Sequence, residues 1–318
     1  MSTADDFIWS DTPEPHAARR KEILASHPSV SKLNGPDWRS KYICLFALVV
    51  PQIGLSVFAP RLPWVWYLLA AYVIGATITQ ALFLAVHELA HNLFFRKARH
   101  NRVFAWIANL PIGLPFAAAF RVYHLQHHKF QGEDGVDADV PSRMEARIFR
   151  GRAGKLVWLT VQIVAYALRP LFTHRLPVSA DLVGNWATQF AFDALLCWIA
   201  GPAPLRFLLL CAFLSGGLHP CAGHFIAEHY AFPKDGGQET YSYYGPLNWL
   251  TWNVGYHNEH HDFPYVPWSR LPRVRSTAPE HYDSLAHHDS WCRVMYDYVM
   301  RDDMGPTRRV KRPAHKSE

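Results

Sequence analysis

Nineteen of the 318 residues are histidine, and eight of these fall into three short boxes. The first is H-E-L-A-H, His87 to His91. The second is H-L-Q-H-H, holding His124, His127 and His128. The third is H-N-E-H-H, holding His257, His260 and His261. Residues at i, i+3 and i+4 share a helix face, so each box is expected to aim its imidazoles one way, as a metal ligand set requires. At this histidine content an HxxHH is expected by chance in roughly 0.07 copies of such a chain, so two are not an accident of composition.

Eight neutral nitrogen donors exceed the needs of one ion, whereas two ions with four or five ligands each would use them. Imidazole suits Fe, Zn, Cu and Ni alike. The five cysteines form no C-x-x-C pair and no C-x-x-C-H haem site, which argues against an iron–sulfur centre, a bound c-type haem and a disulfide scaffold. Two irons in a nitrogen shell would reduce O2 to an oxidant able to attack an unactivated C–H bond. H-E-L-A-H is also a literal H-E-x-x-H, the zinc peptidase pattern with Glu88 as general base. That reading leaves the six histidines of the other boxes idle. A metal transporter would place its ionisable ligands inside the spans, whereas here the boxes follow or lie between apolar blocks.

Those blocks must position the boxes. Half of the residues are hydrophobic and 18% are charged, below the usual quarter. Such a composition excludes a disordered chain, a coiled coil and a collagen-like fibre. The mean hydropathy of −0.08 hides this, because apolar residues are grouped while the ends are polar. Blocks at Tyr42–Ala59 and Trp64–Val86 predict a membrane hairpin whose outer turn carries Pro60, Arg61 and Pro63. Val103–Phe120 is broken by Pro111, Gly113 and Pro115 and predicts a re-entrant or interfacial segment. Leu156–Leu168 predicts a surface-lying amphipathic helix. Leu182–Ala200 and Leu205–Leu218 predict the third and fourth spans. The net charge of +6 comes from clusters such as Arg19 to Lys21, Arg96 to Arg102 and Arg308 to Arg312. Most of these flank apolar blocks, which favours a membrane over a nucleic acid partner. Four crossings return all three boxes and both termini to the cytoplasmic side. Met1–Pro15 is acidic and Ser2 stands at position 2, so neither a cleavable signal nor N-myristoylation is expected.

In order and spacing the boxes resemble the membrane fatty-acyl and sphingolipid desaturase/hydroxylase superfamily, and within it the dihydroceramide Δ4-desaturases. The likeness includes Pro15–Leu24 (PHAARRKEIL), Gly223–Tyr230 (GHFIAEHY), Glu239–Asn248 (ETYSYYGPLN) and Asn253–Pro264 (NVGYHNEHHDFP), and runs from about residue 5 to 312. The resemblance implies an all-α polytopic membrane protein of about four transmembrane helices with a cytosolic histidine-rich cap. It implies a cytosolic segment at 1–41 and a membrane desaturase domain at 42–318. It implies two irons, O2, an endoplasmic reticulum location, and electrons from NADH through cytochrome b5 reductase and cytochrome b5. The substrate implied is dihydroceramide (N-acyl sphinganine), desaturated between carbons 4 and 5. Some members also hydroxylate carbon 4, so a C4-hydroxylase, a bifunctional enzyme and an acyl-lipid desaturase stay open.

By the same resemblance the eight box histidines, His87, His91, His124, His127, His128, His257, His260 and His261, are catalytic metal ligands, and His229 is a ninth ligand. His219 and His224 are each left as ligand or outer neighbour. His100, His174, His281, His287, His288 and His315 are expected at the surface. Glu88, Glu228, Glu259 and Asp262 are candidates to orient ligands, Asn253 to face the site, and Thr240–Tyr244 to meet the lipid's polar groups. The cytochrome b5 signature H-P-G-G is missing from the sequence, so the electron donor is expected to be a separate protein.

Overall fold

The computed structural model describes residues 7–173, 175–232 and 238–314. Helices dominate it. Helix α1 spans Pro15–Ser26, and Glu14 caps it by accepting from the His16 and Ala17 amides. Helices α2, Ser40–Arg61, and α3, Trp64–Ala90, form the expected hairpin. Both are long and apolar enough to cross a membrane, and both extend past the predicted blocks. Each contains a wide-turned π stretch, Ile43–Val49 and Ala70–Gly75.

The hairpin is polar inside and apolar outside, as a bilayer demands. Gln52 is fully buried and donates to Gly75 O (3.2 Å) and Thr79 Oγ1 (3.0 Å). Phe46, Phe58, Trp64, Trp66 and Val73 point outward. Trp64 and Trp66 sit at the turn, where interfacial aromatics belong.

Helix α4, Ala98–Asn109, and helix α5, Ala117–Lys129, meet at 115°. Asn109 holds the bend. Its amide donates to Leu114 O, and its Oδ1 accepts from the Phe116 and Ala117 amides. Gly113, at φ +79°, supplies the left-handed turn. The broken reading of Val103–Phe120 matches this geometry.

Helix α6, Gly151–Leu168, buries Lys155, Trp158, Leu159 and Gln162 and leaves Leu156, Val157 and Val164 exposed. Helix α7, Ala180–Ala200, is continuous over 21 residues. Among the described residues, by length and composition, α2 and α3 qualify as spans, and up to four do if each bent pair counts as one. The pairs are α4 with α5, and helix α8, Ala203–Ser215, with Pro220–Ala227. The expected third span, α7, falls outside that count because Asn185, Gln189 and Asp193 lower its hydropathy. Those groups face inward and are paired: Asn185 accepts from the Ala118 amide, and Gln189 bonds Asn109 and Asp193. The outward face carries Phe190, Trp198 (83% exposed) and Ile199 (71%).

The remaining chain gathers at the box ends of the helices. Helix α9, His257–Asp262, is box three itself, and α1 packs against it. Helix α10, Trp291–Met300, packs on α6. Two short parallel pairings tie distant segments: Ile8–Trp9 to Val310–Lys311, and Ser242–Tyr243 to His287–His288.

Helices α3 and α8 touch at Gly75, where an added Cβ would lie 2.4 Å from Cys211 Sγ. Gly75→Leu is therefore expected to force the pair apart and cost about 1–3 kcal/mol. A lower melting temperature in detergent checks this, and an unchanged one would reject the close contact.

Candidate metal centre

Box one lies on the last turn of α3, box two on the second half of α5, and box three forms α9. His229 follows the single turn His224–Ala227. The structure brings all nine together, but not as three parallel sets. His87, His91, His124, His128 and His260 form one group. His127, His229 and His261 form another. His257 joins the second through His229, Nε2 to Nε2 at 2.9 Å.

The expectation that each box faces one way is therefore corrected. Neighbouring residues on a helix point about 100° apart. In box two the i, i+4 pair His124 and His128 enters the group of five, while His127 enters the group of four. In box three the pair His257 and His261 enters the group of four, and His260 enters the group of five. The groups are adjacent: the His128 and His261 rings stack at 4.1 Å.

Hydrogen bonding does not account for this convergence. His91 and His124 approach Nε2 to Nε2 at 2.7 Å, His124 and His128 at 3.1 Å, and His128 and His260 at 3.1 Å. His127 and His229 approach at 3.0 Å. A ring nitrogen has one in-plane site, carrying either a proton or a lone pair. His124, His128 and His229 each face two partners with that single site. His87 Nε2 and His261 Nε2 are buried with no hydrogen-bond partner among the described residues. Lone pairs converging on a shared cation would satisfy every one of them. Burial also pushes His229, His257, His260 and His261 well below the usual imidazole range, with neighbouring histidines adding to the effect. They are neutral, the form that binds a metal. The donor set thus fits two cations, one per group.

The surrounding bonds orient several rings. His127 Nδ1 lies 3.0 Å from Asp137 Oδ2, and that carboxylate also accepts from the Gly132 and Asp139 amides. This fixes Nδ1–H and leaves Nε2 free. Asp137 is outside the boxes, and no spacing rule marks it in the sequence. Glu228 lies 2.9 Å from His224 Nδ1 and 3.6 Å from His257 Nδ1. His224 Nε2 meets the Gln80 side-chain amide at 2.6 Å, so His224 stands outside both groups. His219 is outside too: Nδ1 accepts from the Cys221 amide and Nε2 meets Thr77.

The other candidates are held mainly by groups outside the nine histidines. Glu88 accepts from the Trp268 amide through one oxygen, and its other oxygen lies 4.0 Å from His87 Nδ1. Asn253 donates to Trp268 O, so it does not face the site. Ser242 and Tyr244 donate to Glu259, and Thr240 bonds His16 and Gln131, so these hydroxyls have protein partners rather than a free face. Burial pushes Glu259 up to about 7 despite those two donors. Asp262 takes His16, Arg19 and Tyr282. Burial opposes its charge, yet the His16 and Arg19 bonds hold it below the usual carboxylate range. Of the histidines expected at the surface, His100 and His287 are exposed. His281 is half-buried beside His27. His288 is also half-buried, stacked on Tyr241 with burial pushing it down to about 4. His174 and His315 lie outside the described residues.

With this geometry in place, comparison with known proteins defines the class. Residues 62–291 match the fatty acid desaturase family model, and residues 3–39 match the model for sphingolipid Delta4-desaturase (DES). The chain belongs to the fatty acid desaturase family, in its sphingolipid delta(4)-desaturase branch. It is 50% identical to sphingolipid delta(4)-desaturase DES1 of Drosophila melanogaster over 96% of this chain and 95% of that protein. It is 46% identical to DES1 of Homo sapiens, covering 97% and 95%. It is 48% identical to sphingolipid delta(4)-desaturase/C4-monooxygenase DES2 of Homo sapiens, covering 98% and 96%.

Asp137→Asn leaves an oxygen near His127 but removes the charge and the certainty of tautomer. It is expected to weaken metal retention about 10–100-fold with the helical circular dichroism unchanged. Chelator competition on the purified protein measures it, and wild-type retention would refute the assignment.

Proposed function

We propose that this chain introduces the Δ4 double bond into the long-chain base of dihydroceramide, giving ceramide. The observation that carries the reading is the division of nine clustered histidines into groups of five and four in a chain of this family. In it, His87, His91, His124, His128 and His260 hold one iron, and His127, His229, His257 and His261 hold the second. Bound iron supplies the O2-dependent oxidising chemistry that takes hydrogen from carbons 4 and 5. The protein's part is to keep the imidazoles unprotonated, to fix their tautomers through groups such as Asp137, and to keep water out around them.

The same reading sets α2, α3, α7 and α8 as the four crossings. The paired polar stripe and apolar outer face of α7 support its inclusion. The boxes, the segment 1–41 and the basic C-terminal tail then share the cytosolic face of the endoplasmic reticulum membrane, where cytochrome b5 and its NADH-dependent reductase deliver electrons. A second reading, combined desaturation and C4-hydroxylation, is supported by the 48% identity to the human relative named for both activities. A zinc peptidase is disfavoured, because Glu88 is bonded to the Trp268 amide and His87 and His91 belong to a five-histidine group.

Mass spectrometry of microsomes supplied with labelled N-acyl sphinganine, NADH and cytochrome b5 tests this. The expected product is two hydrogens lighter in its long-chain base. His260→Ala should abolish it, while Glu88→Gln, which can still accept from Trp268, should retain most of it. A base one oxygen heavier moves the assignment to the hydroxylase, and no change with both irons bound rejects the substrate.

A further inference from the structure

The segment that carries the sphingolipid Delta4-desaturase match also reaches the group of four. Residues 3–39 contain α1, whereas the fatty acid desaturase match begins at residue 62. From α1, His16 enters the site with 4% of its surface exposed. Its Nδ1 lies 2.8 Å from Asp262 Oδ1, and its Nε2 lies 3.0 Å from Thr240 Oγ1. Its ring lies 4.8 Å from that of His261. Arg19, one turn on, clamps the same carboxylate at 2.7 Å and donates to Asn258 at 2.9 Å. Thr240 Oγ1 also accepts from Gln131 Nε2 at 3.1 Å and faces His229 Nδ1 at 3.5 Å.

Counting protons gives this chain of contacts a direction. Arg19 Nη2 also lies 3.0 Å from His16 Nδ1, but its two protons go to Asn258 Oδ1 and Asp262 Oδ1, and Asp262, the nearer partner of Nδ1 at 2.8 Å, accepts only, so His16 carries its proton on Nδ1, and its Nε2 is an acceptor. Thr240 has one hydroxyl proton, which goes to His16 Nε2. The Thr240 oxygen then serves His229 Nδ1 as an acceptor. His229 therefore keeps its proton on Nδ1 and presents a bare Nε2 to His127 and His257, as a metal ligand must.

We propose that His16 is a positioning residue of the four-histidine group, setting through Thr240 which nitrogen of His229 is free to bind metal. The inference rests on the diiron reading above. Without His16, the Thr240 proton is released to His229 Nδ1. That bond favours the opposite tautomer, in which Nε2 carries the proton and cannot bind. The group of five has no member on this relay, so the effect is confined to one of the two metals.

The test is ferrous iron retention by the purified full-length protein against a graded chelator, with a Mössbauer spectrum of each form. Thr240→Val keeps the side-chain shape and removes the relay, so it is informative even where His16→Ala fails to fold. Both variants are expected to release one iron at about 10–100-fold lower chelator concentration and to alter one of two iron environments. Thr240→Ser should restore wild-type retention, and the metal-free melting temperature of Thr240→Val should match the parent. Loss of both irons in parallel, or retention equal to wild type, would overturn the proposal while the diiron reading stands. A wild-type protein that never holds two irons would overturn both.

Discussion

Two histidines adjacent in sequence cannot point the same way on a helix, and the rest of this structure follows from that. His127 beside His128, and His260 beside His261, diverge by about 100°. A box of the form HxxHH is therefore a two-sided device: its i, i+4 pair serves one side and its middle histidine the other. Box two gives its pair to the group of five and box three gives its pair to the group of four. That exchange requires α5 and α9 to run between the two groups. Box one, with only an i, i+4 pair, serves one side and completes five. The second side is left one donor short, and His229 fills that place from a separate segment.

Holding so many uncharged nitrogens together is costly unless something satisfies them, because an unpaired buried polar group loses its water without compensation. The chain meets part of this cost with fixed groups. Asp137 takes the proton side of His127, and Glu228 stands between His224 and His257. Asp137 settles which nitrogen of His127 is protonated and so which one faces the centre. The remaining bare nitrogens, such as His87 Nε2 and His261 Nε2, have no hydrogen-bond partner among the described residues. Their satisfaction is left to whatever the two groups bind, which couples binding to the stability of the whole cap.

Local pattern made much of this readable. The hairpin of α2 and α3 appears in the sequence as two apolar blocks with prolines between them. The bend between α4 and α5 appears as Pro111, Gly113 and Pro115. The boxes appear because their spacing repeats. What stayed hidden depends on distant pairings. Asp137 sits ten residues past His127 in an irregular loop, and His16 meets Asp262 across 246 residues. No periodicity reports such contacts. The α7 helix shows the converse: averaging its hydropathy merges an inward polar stripe bonded to neighbouring segments with an outward face bearing Trp198 and Ile199. Thr240, Ser242 and Tyr244 look like free polar contacts in the sequence, yet folding turns their hydroxyls onto His16 and Glu259.

The two ends of the chain close the same region. Ile8 and Trp9 pair with Val310 and Lys311, Arg309 meets Asp139, and Arg312 meets Glu239. Asp139 is two residues from the carboxylate that orients His127, and Glu239 adjoins Thr240. The Arg309 guanidinium, itself buried, holds Asp139 far below the usual carboxylate range against the opposing effect of burial. Both termini thus act on the loops carrying the orienting groups of the four-histidine side. The five-histidine side is built on α3 and α5, whose helical frames hold it directly, with one histidine from α9. The four-histidine side takes only His127 from α5, with His257 and His261 from the six-residue α9 and His229 from the end of a single turn, and so has less of that support. In this fold the ends of the chain supply it.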